Sequence, residues 1–290
     1  MTLDFTPSLL AGRQAGLRYA VSLPRVAPSG SAGAQLGHRP GSSLEFMDHR
    51  DYQPGDDLRR IDWSAYARTD RLTVKLYREE VSPHLDLLLD GSRSMNLENS
   101  AKLQASLGLA ALLSTAAENA GFSRRVYQTD TGCREIAGGH LSCEGWQGLS
   151  FDSTLPTGQA IAQHPPSFRR RGVRVFLSDL LWMGDPMQAL GPLSHNATLL
   201  VVVQVLADVD VNPPSHGNIR LIDSETQQSR DLFIDAAAQQ HYRRNFTQHQ
   251  QLWQQACHSV GARFVSMSAE NLVRDWNVEE LLSMGVLRTV

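Results

Sequence analysis

Between His84 and Leu89 the chain passes through four leucines and then halts at Asp90-Gly91. A short apolar run closed by a turn signal reads as a strand buried inside a sheet and ending at the sheet's edge. Ser92-Arg93-Ser94-Met95 then lies on the loop into the next helix. The carboxyl edge of an open α/β sheet is where such folds bind ligands. Asp90, Ser92 and Ser94 put one carboxylate and two hydroxyls on a single tight loop. Hard oxygen donors of this kind suit one Mg²⁺, or Mn²⁺, which keeps several waters and takes few protein carboxylates. The competing reading is a helix cap, because Ser and Asp at a helix start accept from free backbone N–H groups.

A second run of the same kind, Val173-Arg174-Val175-Phe176-Leu177-Ser178-Asp179, also ends in an aspartate. Parallel neighbours of this sort bring Asp179 to the edge that carries Asp90. Strand and helix signals alternate around the pair. The pattern predicts a helix over 101–120 stopped by Gly121, short strands over 125–128 and 133–137, and a helix starting near Pro156. It continues with a helix over 186–193, an apolar strand over 199–206, a long polar helix over 236–260, a strand over 263–267 and a last helix over 271–284. The rhythm predicts an α/β fold, a mostly parallel central sheet flanked by helices. Residues 218–235 break it, with two apolar segments around Asp223-Ser224-Glu225-Thr226-Gln227 that read as a β-hairpin appended to the sheet. Residues 1–82 read as an N-terminal extension, with a flexible Ser/Gly/Pro stretch over 28–41 and an edge strand over 72–78, and residues 83–290 as the main domain.

Composition removes several classes of function. A chain of 290 residues with 41% hydrophobic residues buries a full core without staples, and a net charge of -3 gives no electrostatic reason to expect nucleic acid. Three cysteines do not describe a disulfide framework. The longest apolar run, 197–206, is far short of the roughly 20 residues a membrane helix needs. The start of the chain has no basic flank leading into an apolar core. The expectation is a cytoplasmic protein with no membrane span.

One dense polar block remains. It reads Arg50-Asp51-Tyr52-Gln53-Pro54-Gly55-Asp56-Asp57-Leu58-Arg59-Arg60-Ile61-Asp62-Trp63, with Ala67-Arg68-Thr69 after it. Pro54-Gly55 is a turn signal. The block resembles the signature of an uncharacterised bacterial family that carries a von Willebrand factor A-like domain and is typically encoded beside MoxR-type AAA+ ATPases. The likeness extends over nearly the whole chain from Ser42, including Asp90-Gly-Ser-Arg-Ser-Met. It implies a Rossmann-type domain with a metal-ion-dependent adhesion site, where Asp90, Ser92, Ser94, a downstream Thr and Asp179 gather round one cation that a partner's carboxylate completes. The fold expects that Thr in a Gly-Gly-Thr-like loop, whereas this chain offers Ser153-Thr154-Leu155-Pro156-Thr157, with Thr154 the first candidate and Thr157 the second.

Two classes of function follow. The first is a metal-dependent interaction module, an adaptor for a MoxR-type AAA+ ATPase or its client, and not an enzyme. The second is a Mg²⁺-dependent phosphohydrolase using Asp90, a chemistry that normally needs a second Asp two residues on, where this chain has Ser92. In the polar block, Arg59, Arg60, Asp62 and Arg68 are expected to form ion pairs that lock the N-terminal segment on the domain. His49, His84 and His241 lack a partner spacing and receive no role.

Overall fold

The computed structural model describes residues 4–22, 44–79, 83–98, 100–213, 217–224 and 228–290. The expected flexible stretch over 28–41 and the hairpin tip at 225–227 lie outside the described residues. In chain order the elements are α1 (Thr6–Gly16), β1 (Tyr19–Val21), β2 (Leu44–Asp51), α2 (Trp63–Thr69), β3 (Thr73–Glu79), β4 (His84–Leu89) and α3 (Lys102–Asn119). Then come β5 (Ser123–Thr129), β6 (Cys133–Glu135), α4 (Thr157–Gln163), β7 (Val173–Ser178), α5 (Met187–Ser194), β8 (Leu199–Leu206) and α6 (Asp208–Val211). The last are β9 (Gly217–Ile222), β10 (Ser229–Ile234), α7 (Ala236–Ser259), β11 (Arg263–Ser268), α8 (Ala269–Asp275), α9 (Glu279–Ser283) and β12 (Leu287–Thr289).

The chain divides into two compact units, residues 1–27 with 83–290, and residues 28–82. In the larger unit a six-stranded sheet has the order β11-β8-β7-β4-β5-β6, parallel except for β6. β4 and β7 are hydrogen-bonded neighbours, and every residue of both is buried. Alternation along β4 sends Leu85, Leu87 and Leu89 into the core layer beneath α3, and Leu88 to the opposite layer with Phe176, Leu190 and Trp253. Helices therefore cover both faces, which is what continuous apolar strands require.

Residues 6–21, read from sequence as part of the extension, belong to this larger unit. α1 packs on α3, and β1 pairs antiparallel with β12 at the far end of the chain. The contact is made by small residues. A methyl built on Gly12 would sit 1.9 Å from the Gly108 carbonyl oxygen, and one built on Gly16 would sit 2.7 Å from that of Leu112. A helix that docks through glycines carries little apolar periodicity, so its signal in sequence is weak. The final helix expected over 271–284 is two helices, because Trp276 adopts a left-handed conformation at φ 52° between α8 and α9. The atoms of its ring lie where a side chain on Gly108 would stand.

Two further expectations change. The hairpin β9–β10 forms, but as a separate two-stranded sheet and not as an addition to the central one. The strand read as a sheet edge over 72–78 is β3, which pairs antiparallel with β2 in the smaller unit, with a bulge between Phe46 and Asp48. Among the described residues no helix is long and apolar enough to cross a membrane.

Candidate functional site

β4 keeps its pairing one residue past its end, with the Asp90 N–H donating to the Leu177 carbonyl at 3.0 Å. The chain then turns sharply at Gly91, whose N–H donates to Thr129 Oγ1. Only glycine fits there, because an added Cβ would lie 2.1 Å from the Thr129 carbonyl oxygen. Ser92 bridges in parallel to Ser153, which draws the loop ahead of α4 against the end of β4. That pairing places Thr157, the first residue of α4, at Asp90.

The Asp90 carboxylate is buried and fully engaged. Oδ1 accepts from Thr157 Oγ1 at 2.6 Å and from the Ser92 N–H at 2.9 Å, and Oδ2 accepts from Ser178 Oγ at 2.5 Å. Burial, and then the nearby Asp179 charge, push this carboxyl above its ordinary range, against the pull of the Ser178 and Thr157 hydroxyls. Ser92 Oγ and Ser94 Oγ stand 2.9 Å apart. The helix-cap reading of the two serines does not hold, since Ser92 makes no side-chain cap bond to the turn after it and α3 begins at Ala101 without a side-chain cap.

Asp179 is held from several sides. Its Oδ1 accepts from the Leu181 N–H at 3.1 Å, its Oδ2 accepts from Lys102 Nζ at 2.9 Å, and its carbonyl accepts from Gln204 Nε2 at 3.0 Å. The turn after it is strained, with buried Leu180 at φ 57°, a conformation rare for a branched side chain. Lys102 is only 1% exposed and also lies 3.3 Å from Asp210 Oδ2. Burial opposes the ammonium charge, but Asp179 and Asp210 outweigh it and raise the Lys102 pKa above its ordinary value.

The structure thus brings together Asp90, Ser92, Ser94, Asp179 and the second Thr candidate, Thr157, which is 2% exposed. Thr154 is exposed and stands on the loop before α4. The sequence reading missed Ser178, Lys102 and Asp210. Ser178 immediately precedes Asp179 and was open to inclusion, whereas a lysine opening an Ala/Leu-rich helix carries no signal that separates it from a solvated one. The donor set is chemically suited to a hard divalent cation. Three hydroxyls and two carboxylates share one corner, and the cluster of Asp90, Asp179, Asp210 and Lys102 carries more negative than positive charge. Among the described residues no three His, Cys, Asp or Glu side chains gather into a metal site. The corner opens on a cleft of about 920 Å³ that runs from Ser92, Thr157 and Asp179 to Leu221, Ile222 and Arg230 of the hairpin.

The polar block lies in the smaller unit, where its described pairs are internal. Asp62 caps α2 by accepting from the Ser64 and Ala65 N–H groups at 3.0 Å, and its Oδ2 meets His49 Nε2 at 2.8 Å and Lys75 Nζ at 3.5 Å. These partners, the Ala65 N–H first and then His49, lower its carboxyl to about 2. His49, given no role from sequence, is therefore a member of the network. Asp56 accepts from Arg50 Nη2 at 2.6 Å and from the Gln53 N–H, closing the turn through Pro54 and Gly55, where φ is 107°. Tyr52 joins the sheet through its N–H to the Leu72 carbonyl. Asp57 accepts from the Arg59 N–H and Nε, and Arg68 Nε donates to the Ser64 carbonyl within its own helix. Trp63 is 62% exposed, edge-on to Tyr66.

Residues 48–130 and 154–252 match the family model described as "Protein of unknown function DUF58". Uncharacterized proteins of Mycobacterium bovis and Mycobacterium tuberculosis are 28% identical over 262 residues, covering 84% of this chain and 80% of theirs. A solved structure, an aerotolerance-related membrane protein from Bacteroides fragilis, aligns over 69% of this chain and 99% of its own at 13% identity and a TM-score of 0.34.

Proposed function

The chain belongs to the family described as protein of unknown function DUF58, and for this member we propose a cation-dependent protein–protein interaction module that serves as partner or adaptor of a MoxR-type AAA+ ATPase. On this reading the six-stranded domain is of the von Willebrand factor A-like kind and works in the cytoplasm. One Mg²⁺ or Mn²⁺ sits on Ser92, Ser94 and Thr157, with Asp90 and Asp179 direct or through water. The observation that carries the reading is the Thr157 hydroxyl on Asp90 with the Ser92–Ser94 hydroxyl pair on the same cleft rim, at the carboxyl ends of two adjacent parallel strands. A cation with few carboxylates round it keeps residual positive charge, which favours an acidic side chain supplied by a partner. The ATPase itself is inferred from the resemblance of the block over 50–63 to proteins encoded beside such enzymes.

Phosphohydrolase chemistry at Asp90 is the less favoured reading. Its carboxylate already accepts three hydrogen bonds and is 1% exposed, and the residue two positions on is Ser92. A nucleophile needs an open face and an acid/base partner. The test is binding of a purified MoxR-type ATPase to the full chain by calorimetry or light scattering. Binding that needs Mg²⁺ or Mn²⁺, is lost with chelator and is lost in Asp90→Ala supports the proposal. Binding unchanged in all three conditions contradicts the cation's role, and no binding contradicts the partner.

A further inference from the structure

Lys102 opens α3 and reaches into the carboxyl edge, where its Nζ lies 2.9 Å from Asp179 Oδ2 and 3.3 Å from Asp210 Oδ2. It is the most deeply buried cation of this cluster, 1% exposed, and Asp179 is equally hidden. Its two partners come from different elements. Asp179 follows β7, and Asp210 lies in α6, where its Oδ2 also accepts from the Ala207 N–H at 2.9 Å and its carbonyl from the Tyr242 hydroxyl at 2.5 Å. Both carboxylates are thereby fixed from behind, so the ammonium cannot move without leaving a buried charge uncompensated.

We propose that Lys102 is the residue that sets the cation affinity of this edge: its fixed positive charge takes up Asp179, keeps that carboxylate out of direct coordination and leaves a weak cation site on Ser92, Ser94 and Thr157. The inference rests on the reading of Asp90 and its hydroxyls as a cation site. The geometry supports it in two ways. Asp179 Oδ2 is committed to the ammonium and Oδ1 to the Leu181 N–H, whereas Ser92 and Ser94 bond only to each other among their described side-chain contacts. The charges agree, since Asp179 and Asp210 share the one ammonium and the trio keeps a net negative charge. An ammonium lining the same cleft as these hydroxyls repels a divalent ion. The edge is built to accept a cation fully only when a further negative group, such as a partner's carboxylate, arrives with it.

The experiment compares Mg²⁺ and Mn²⁺ binding, by calorimetry and thermal shift, in the full-length wild type, Lys102→Met and Lys102→Gln. Gln keeps a donor toward Asp179 without the charge. Both variants are expected to bind the cation at least about tenfold more tightly than wild type, and to melt lower than wild type in chelator but recover when the cation is added. A purely structural lysine gives no such recovery. Wild-type binding with unchanged affinity in both variants overturns the role of Lys102 while leaving the cation site standing. Binding in none of the three overturns both. Variants that cannot be recovered folded even with excess cation also count against the proposal, since the cation is expected to replace the missing charge.

Discussion

Thr154, on the loop before α4, and Thr157, the first residue of that helix, are three positions apart, and their surroundings are opposite. Thr157 gives its hydroxyl to a carboxylate with no access to solvent, while Thr154 faces outward. Thr157→Val is therefore expected to destabilise the protein by about 1 to 3 kcal/mol, the cost of a buried acceptor losing a donor, and Thr154→Val to leave the melting midpoint unchanged. Equal midpoints for the two variants would contradict this placement. A second residue-level prediction concerns Asp62. Its folded carboxyl lies near 2 against an ordinary value of 3.8, so the stability it gives is complete above about pH 4 and is lost as pH falls toward 2. Acid unfolding of wild type and Asp62→Asn, followed by circular dichroism, is expected to separate over that window, and superimposed curves would refute it. At this scale the sequence was informative where a residue type and its spacing carry chemistry, as at Asp90, Ser92, Ser94 and Asp179. It was silent on Lys102, because nothing in a chain of residues distinguishes a lysine that points inward from one that points to water.

Elements built on apolar runs were the most legible. β4, β7 and β8 emerged within a residue of their expected ends, since six or more consecutive buried positions leave little freedom in where a strand runs. α1 was missed because it docks by close approach of backbones at Gly12 and Gly16 and not by an apolar stripe. That difference makes a prediction with a definite sign. Gly-to-Ala inside a helix ordinarily gains stability, but at Gly12 the new methyl meets the backbone of Gly108, so Gly12→Ala is expected to cost about 1 to 3 kcal/mol. Calorimetric melting checks it, and an unchanged or raised midpoint would mean that α1 does not pack on α3 as described. The break at Trp276 was hidden for a related reason. A left-handed residue between α8 and α9 is fixed by where its ring must go, and no local propensity encodes that.

For the molecule as a whole, the sequence pointed to an α/β domain and a separate N-terminal segment, and among the described residues 44–79 form a compact unit of their own while 4–22 belong to the main body. Topology then concentrates the chemistry, because adjacent parallel strands β4 and β7 deliver Asp90 and Asp179 to one edge and the first residue of α4 adds Thr157. At that edge the Asp90 carboxylate is buried and already accepts three hydrogen bonds. The purified protein is expected to show no Mg²⁺-dependent turnover of simple phosphoesters or nucleotides, and turnover that Asp90→Asn abolishes would favour the hydrolase instead. We propose that this edge holds a single divalent cation on the Ser92, Ser94 and Thr157 hydroxyls beside Asp90. Calorimetric titration of Mg²⁺ and Mn²⁺ into wild type and Asp90→Ala, alone and with a bound partner, tests it most directly. One-site binding in wild type, strengthened in the complex and absent in Asp90→Ala, is the predicted result, and no binding in either state, or binding that survives Asp90→Ala, would contradict it.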